Sequence, residues 1–519
     1  MPKKSSIEYS EEPLTIDLNP KAPQLPKVLD KTKIDIRYML ISPYVSVHIY
    51  WNKQISEVCY EIEEPKITEQ EREILMQIEK GMRELVNVNL LVEKDLTAVL
   101  KYLEQTSRLV IAELGIKIKN ELYKRFFYYL YRDFVGLNEA EPMLRDFFIE
   151  DIECNGVNSP VYIVHRIYRN MRTSVVFKDL DYLAGFVEKL AQRCGKYISY
   201  ASPLLDGSLP DGSRVNATYT TEISSKGPTF TIRKFTKIPL TPIQLISFNT
   251  LSPEMLAYLW ILMQYKSSIL ITGGTASGKT SLLNAIAFFI PPEARVVSIE
   301  DTRELNLPRE NWLPSVTRTG IGIGGAGEID LFTLLKESFR QNPDYVIVGE
   351  VRGAEASVLF QGMASGHAGM STMHAESVDT VIRRLQTPPI NLPPTLVNSL
   401  DAVAIMSHAI VNRQETRRLT SIVEVIEVTP DGVAKTNTPF TWDAATDRFY
   451  FKTESKVFEK IMRRYGLTRE ELVREFNLRT KLIYELYKRK VFDFDIVQSI
   501  VNNYYKNQNA ILKEYGIVA

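Results

Sequence analysis

The chain has 519 residues, 63 basic against 63 acidic side chains, and 45% hydrophobic content. That length allows roughly three or four domains with their own cores, and zero formal net charge excludes a global electrostatic footprint for nucleic acid, though not a local basic patch. Three cysteines, Cys59, Cys154 and Cys194, with no Cys-x-x-Cys pair, exclude a disulfide scaffold and a cysteine-rich zinc module and suit a reducing compartment.

Residues 1–35 are rich in Pro, Lys, Glu and Asp and are expected to form a flexible tail. The opening Met-Pro-Lys-Lys-Ser-Ser lacks an apolar signal core. Tyr44–Tyr50 alternates as a strand does. From Thr68 to about Phe134 the pattern turns helical, with Ile74, Met76, Ile78, Met82 and Leu85 among its first apolar positions. Residues 36–135 are therefore expected to form a small domain of short sheet plus helical bundle. Across 136–237, Val161–His165 and Thr229–Arg233 are β-rich, Asp206-Gly207 and Asp211-Gly212 supply turns, and a helix is expected over Leu180–Cys194. This reads as a second α/β domain. Two prolines in Lys237–Pro242 oppose both helix and central strand and mark 238–243 as a hinge linker.

Residues 244–415 alternate strands and helices, the pattern of a mainly parallel sheet. The longest apolar runs, such as Leu256–Met263, fall short of the roughly 18 residues a membrane helix needs, so the expectation is a soluble intracellular protein. Residues 416–519 should hold a hairpin around Pro430-Asp431-Gly432 followed by helices. No repeat of 20–50 residues is visible.

The strongest chemical signal follows the apolar run Ser268–Thr272: Gly273, Gly274, Thr275, Ala276, Ser277, Gly278, Lys279 and Thr280, leading through Ser281 into a helical pattern. This fits Gly-x-x-x-x-Gly-Lys-[Ser/Thr] in the required strand–loop–helix context. Glycines let the backbone curl so that its N–H groups face phosphates, and the helix N-terminus adds positive dipole. Lys279 would reach the β- and γ-phosphates, and the Thr280 hydroxyl would bind Mg²⁺. A glycine-rich turn with a chance lysine is the bland alternative, which the flanking pattern opposes.

Two further apolar strands end in acids: Arg295–Ile299 runs into Glu300-Asp301, and Tyr345–Val348, preceded by Asp344, runs into Gly349-Glu350. Acids at the carboxyl ends of parallel strands face the ligand, where they can hold Mg²⁺ or orient a water. Either alone would equally serve as a helix cap; both in one sheet with a P-loop favour the nucleotide role. Of 5 histidines, His367 and His374 bracket a short expected strand over 369–373. Seven extended residues separate them by roughly 20 Å, too far to share one metal ion; a wholly helical segment would bring them onto one face, which Gly366 and Gly369 oppose. Gly322–Gly327 matches Gly-x-Gly-x-x-Gly but follows no apolar strand and reads as a flexible loop.

The P-loop, Glu300-Asp301, Asp344 with Glu350, and the His367/His374 segment, in that order, resemble the Walker A, Asp box, Walker B and His box of the secretion ATPases that power type II and type IV secretion, type IV pili and archaella. Leu209–Asn216 and Thr387–Pro394 resemble the archaeal, GspE-like branch. The resemblance implies a RecA-like P-loop NTPase domain preceded by a smaller α/β, PAS-like N-terminal domain and a small mixed first domain. It implies a homohexamer that hydrolyses ATP with Mg²⁺ in the cytoplasm, attached peripherally to the inner face of the cell membrane through a polytopic platform protein. The metal groups would be Thr280, Glu300 and Glu350, with Glu350 as general base or water-orienting acid, Glu300 assisting, and the His box, His374 above all, sensing the γ-phosphate. His367 is placed at the turn as a brace or a contact to a neighbouring subunit. Arginines of the N-terminal domain would approach the phosphates; Arg214 and Arg233 match best by position, each alternatively a surface ion pair. Arg340 and Arg352 are weaker candidates that would only brace the acids. Pilus or secretion-system assembly, archaellum motion and, as a rival class, nucleic-acid translocation all fit such a motor, and the lack of a basic stretch with interleaved aromatics disfavours the last.

Overall fold

The computed structural model describes residues 30–85, 96–235, 238–318, 327–411 and 414–517, with isolated positions between 16 and 28. The chain divides into two compact units, Met1–Phe235 and Thr236–Ala519. The glycine-rich Gly322–Gly327 segment lies, but for Gly327, outside the described residues.

The first unit is built on β1 (Asp35–Ile41), β2 (Val45–Asn52), β3 (Glu57–Glu63), β4 (Ile149–Cys154), β5 (Pro160–His165), β6 (Arg169–Val176), β7 (Leu204–Ser208), β8 (Arg214–Thr218) and β9 (Thr229–Arg233). They form one sheet in the order β1-β2-β3-β6-β5-β4-β9-β8-β7. Burial alternates along β2 and β5, as it does where one sheet face is packed and the other wetter. The boundary expected between 135 and 136 does not separate compact units. β3 pairs in parallel with β6 through Cys59↔Arg172 and Tyr60↔Thr173, so the strand's otherwise open edge is satisfied by the later segment. Buried Tyr60 and half-buried Tyr38 both donate to Asp146 Oδ2, at 2.8 and 2.7 Å, tying the two segments through one buried carboxylate.

The helix Glu69–Leu85 buries Leu75, Ile78 and Met82, while Met76 and Leu85 are 54% and 50% exposed. The buried stripe occupies the i, i+3, i+7 positions, with Ile74 partly buried against the same core, which the helix Leu96–Glu113 shares. Gly81 allows the approach of that helix: a Cβ there would lie 2.7 Å from Val110 Cγ1. Part of the expected tail is packed. Ile16 and Leu18 are buried, and Asp17 exchanges two 3.0 Å backbone hydrogen bonds with Ser42, since apolar side chains gain by leaving water even in a polar segment. Residues 1–15 lie outside the described residues.

The second unit contains β10 (Ile269–Gly273), β11 (Val296–Glu300), β12 (Trp312–Val316), β13 (Tyr345–Val348), β14 (Ala368–Met373), β15 (Ala402–Val411), β16 (Gln414–Val428), β17 (Ala434–Asp443) and β18 (Arg448–Phe451). Their order is β12-β11-β13-β14-β10-β15-β16-β17-β18, parallel from β12 to β15 and antiparallel beyond. β10, β11, β13 and β14 are buried at every residue, as parallel strands covered by helices on both faces must be. This is the mixed α/β, RecA-like sheet expected from the motif order.

The boundary expected at 415/416 falls inside β16, which pairs along its length with β15 and β17. The C-terminal helices Arg469–Lys488 and Phe494–Lys506 share one apolar core with the helix Pro253–Gln264, whose residues 255–263 are all buried. Buried Glu424 ties the antiparallel strands to this helical layer, accepting from Tyr258 Oη at 2.7 Å, Asn437 Nδ2 at 2.7 Å and Lys456 N at 2.8 Å. The linker expected over 238–243 runs into the helix Pro242–Ser247, capped by Thr241 with Gln244 as the reciprocal partner. Proline opposes a helix interior but suits its first turn, where no N–H is required. The hairpin turn expected at Pro430–Gly432 joins β16 to β17, with Gly432 at φ 85° donating to Thr429 O at 2.8 Å. No described helix is long and apolar enough to cross a membrane.

Candidate nucleotide site

The loop Gly273–Thr280 leaves the carboxyl end of β10 and enters the helix Lys279–Ala287. Its curl depends on glycine. Gly273 (φ 151°) admits no Cβ, which would stand 2.2 Å from Met406 O, and Gly278 (φ 94°) is the left-handed residue that opens the helix. Ser277 Oγ donates to Gly274 O at 2.9 Å, closing the loop on itself. Ser277 is buried, Gly274, Gly278 and Thr280 are half-buried, and Thr275 and Ala276 are exposed; Ser281 is half-buried on the helix's first turn. This leaves the loop's middle accessible while its ends are anchored.

Register brings the other groups to the same end of the sheet. Thr272 lies opposite Met373, Val348 opposite Ser371 and Ile299 opposite Val348, so His374, Glu350 and Glu300 follow neighbouring strand ends. The Lys279 ammonium donates to Gly274 O at 2.8 Å and Gly273 O at 3.2 Å and lies 3.4 Å from His374 Nδ1. His374 Nε2 lies 3.4 Å from Glu350 Oε1. Burial pulls the Lys279 ammonium below its usual range, and Glu350 opposes that shift.

Glu300 is 2% exposed. Its Oε1 accepts from Glu304 N at 2.9 Å and Leu305 N at 3.0 Å, while buried Oε2 has no hydrogen-bond partner. Burial pushes this carboxyl up to about 7, against the two backbone N–H groups that favour its charge. Arg352 lies 3.4 Å from both Asp301 Oδ2 and Glu350 Oε2, bracing the acids of two strands. Arg340 instead pairs with Glu337 on an exposed helix face.

The donor set fits a hard cation with a polyphosphate: a hydroxyl at Thr280, the acids Glu300 and Glu350, and a buried Glu300 oxygen whose charged form an adjacent cation would favour. Among the described residues no cluster of three or more His, Cys, Asp or Glu stands ready as a metal cage, so the nucleotide's own oxygens would have to complete such a site.

Asp344 and His367 sit at the other end of their strands. Asp344 accepts from Lys266 Nζ at 2.7 Å and Arg295 N at 2.9 Å, and His367 Nδ1 lies 3.0 Å from Pro343 O, with its ring against Phe339. Neither touches the P-loop groups, and both brace the start of β13 and β14.

In the first unit, Arg214 and Arg233 are direct partners across β8 and β9. Arg214 is paired with Asp206 at 3.1 Å, and Arg233, with a side chain 67% exposed, is paired with Asp151 at 3.0 Å. Strand pairing thus creates an exposed double-arginine surface that lies far from obvious in a sequence where the two are separated by a hairpin.

The contacts of two further residues are invisible in the sequence. Asn284, one turn into the P-loop helix, donates to Glu304 O at 3.3 Å and accepts from Asn306 N at 3.1 Å, fastening the segment after Glu300. Arg417 Nε donates to Ala276 O at 2.9 Å from 141 residues away, a distance at which no local spacing signals a contact.

Residues 149–448, more than half of the chain, match the family model described as Type II/IV secretion system protein. The uncharacterized protein MJ0900 of Methanocaldococcus jannaschii is 40% identical over 404 residues, 76% of this chain and 72% of the relative. The type IV secretion system protein PtlH of Bordetella pertussis is 33% identical over 229 residues, 40% of this chain and 67% of the relative. Among solved structures, the Legionella pneumophila ATPase DotB covers 72% of this chain and 90% of its own at 16% identity and a TM-score of 0.39, a remote likeness. On the extent of the family match and of the M. jannaschii relative, the chain belongs to the type II/IV secretion system protein family.

Proposed function

We propose that this protein is a hexameric ATPase that hydrolyses ATP to power assembly of a type IV pilus-like filament or a secretion system at the cytoplasmic face of the cell membrane, through a polytopic membrane platform. The observation that carries the proposal is the meeting of Lys279, His374 and Glu350, with Glu300 on the next strand, at the carboxyl end of one parallel sheet around a P-loop. The family membership supports the secretion-system setting.

In this proposal the N–H groups of Gly274–Thr280 cradle the phosphates. The Lys279 ammonium leaves its loop carbonyls for the β- and γ-phosphate oxygens. Glu350 orients a water and takes its proton as the water oxygen bonds to the γ-phosphorus and the bond to ADP breaks. His374, placed between Lys279 and Glu350, moves when either partner does and so reports on the γ-phosphate. Thr280, Glu300 and Glu350 are the groups that would hold Mg²⁺, which neutralises phosphate charge when bound with the nucleotide. Arg214 and Arg233 supply further positive charge to the transition state in the assembled hexamer.

Phosphate release and nucleotide binding by two variants test the site. Lys279→Ala should lower ATP turnover by about 100-fold or more, and a wild-type rate would sink the site assignment. Glu350→Gln should keep nucleotide binding and lose hydrolysis by a similar factor, about 100-fold or more; loss of binding instead would mean that the acid's role is misassigned.

A further inference from the structure

β15 and β16 run beyond the parallel sheet. The last pair between β10 and β15 is Gly273↔Met406, yet β15 continues to Val411, paired only with β16 through Ser407↔Arg418 to Val411↔Gln414. The hairpin therefore stands beside the P-loop rather than beneath it. Successive strand residues face opposite ways, and two adjacent arginines on β16 use this. Arg418, 4% exposed, turns inward: its Nε donates to Asp447 Oδ1 at 2.8 Å and its Nη1 to Phe248 O at 3.2 Å. Arg417 turns to the P-loop and donates Nε–H to Ala276 O at 2.9 Å.

Ala276 is the loop residue most in need of a hold. It sits at φ 57°, a left-handed conformation disfavoured for a residue with a Cβ, and it is exposed. A P-loop works by turning its N–H groups inward, which obliges carbonyls to point outward. The outward carbonyl of Ala276 is the one met by a guanidinium, and the Arg417 Cδ lies 3.3 Å from where a Cβ on Gly278 would be. The carbonyls of Gly273 and Gly274 are met instead by Lys279 and Ser277 from within the loop.

We propose that Arg417 is a positioning residue for the phosphate-binding loop: from the β15–β16 hairpin it holds the Ala276 carbonyl outward, so that the neighbouring N–H groups converge on the phosphates. The rigid base for this hold is the buried Arg418–Asp447 pair beside it. The proposal rests on the ATP site proposed above, and it assigns a site function to a strand outside the sequence motifs.

Steady-state ATP hydrolysis and ADP binding by the full chain test it. Loss of a ground-state hold on the loop weakens binding of substrate and transition state alike, which raises KM and leaves kcat. Arg417→Ala should raise KM for ATP and Kd for ADP about tenfold, the size of a lost charge-assisted hydrogen bond, with kcat within about twofold. Arg417→Gln, which keeps the side-chain volume near the loop but cannot reach as far, should behave alike and serves if the alanine variant does not fold. Arg417→Lys should recover most of the affinity, since a cationic donor remains. Unchanged KM and Kd in the alanine or glutamine variant, or a lower kcat at unchanged KM as a merely structural weakening would give, overturns the proposal. A Lys279→Ala variant that hydrolyses ATP normally would instead defeat the underlying site assignment, so the two failures are told apart.

Discussion

The two units each bring charged groups together across neighbouring strands, by opposite physical means. At the carboxyl end of the second sheet, Lys279 and Glu300 are 8% and 2% exposed, and burial displaces the titration of both. Arg214 and Arg233 in the first unit also stand side by side, but at the surface, each with an aspartate partner. Exposed ion pairs of this kind contribute about 0–1 kcal/mol. A buried site is held by its surroundings and resists rearrangement; an exposed pair exchanges one anion for another at little cost.

The contrast breaks most visibly at the arginines. Arg214→Ala and Arg233→Ala should each lower ATP turnover by about 100-fold, as loss of one transition-state donor does, while the melting temperature stays within the few degrees that about 1 kcal/mol allows. Unaltered turnover with lowered stability would make them surface ion pairs and nothing more.

Next comes Glu300, measured without nucleotide or Mg²⁺. Its folded value of about 7 lies above its ordinary 4.5. The folded state therefore binds the extra proton between those values, so the group's contribution to stability is fully present below about pH 4.5 and is lost as pH rises through about 7. The penalty removed by Glu300→Gln should be on the order of 2–3 kcal/mol at pH 8 and near zero at pH 4.5. Thermal melts across this range check it, and a pH-independent difference would mean that the buried carboxylate is already compensated.

The smallest expected effect separates the histidines. His374 touches Lys279 and Glu350, whereas His367 lies against Pro343 O at the far end of β14. His374→Ala should cost turnover roughly tenfold, about one charge-linked hydrogen bond, and His367→Ala less than about twofold. The reverse ranking would undo the assignment by strand polarity.

Much of this protein is legible without coordinates. A strand-length apolar run before Gly-x-x-x-x-Gly-Lys-Thr, and two more such runs ending in acids, specify a mainly parallel α/β sheet because parallel strands must be apolar throughout and their carboxyl ends are where polar groups gather. Domain extents were less legible. The apparent breaks at 135/136 and 415/416 are changes in local composition, yet β3 pairs with β6 and β16 lies between β15 and β17. Edge pairing is a long-range event that leaves no periodic trace. Which apolar positions of the Glu69–Leu85 helix are covered is likewise set by its neighbours, which bury Leu75, Ile78 and Met82 and leave Met76 and Leu85 exposed.

By itself the sequence determined the elements, the phosphate loop, and which residue types stand at strand ends, since these follow from local spacing and backbone chemistry. Only the tertiary structure decided which groups meet. Strand order and register set His374 between Lys279 and Glu350, Arg214 beside Arg233, and Arg417 on the loop carbonyl of Ala276. Those contacts depend on backbone hydrogen bonds between strands distant in the chain, which residue spacing does not encode.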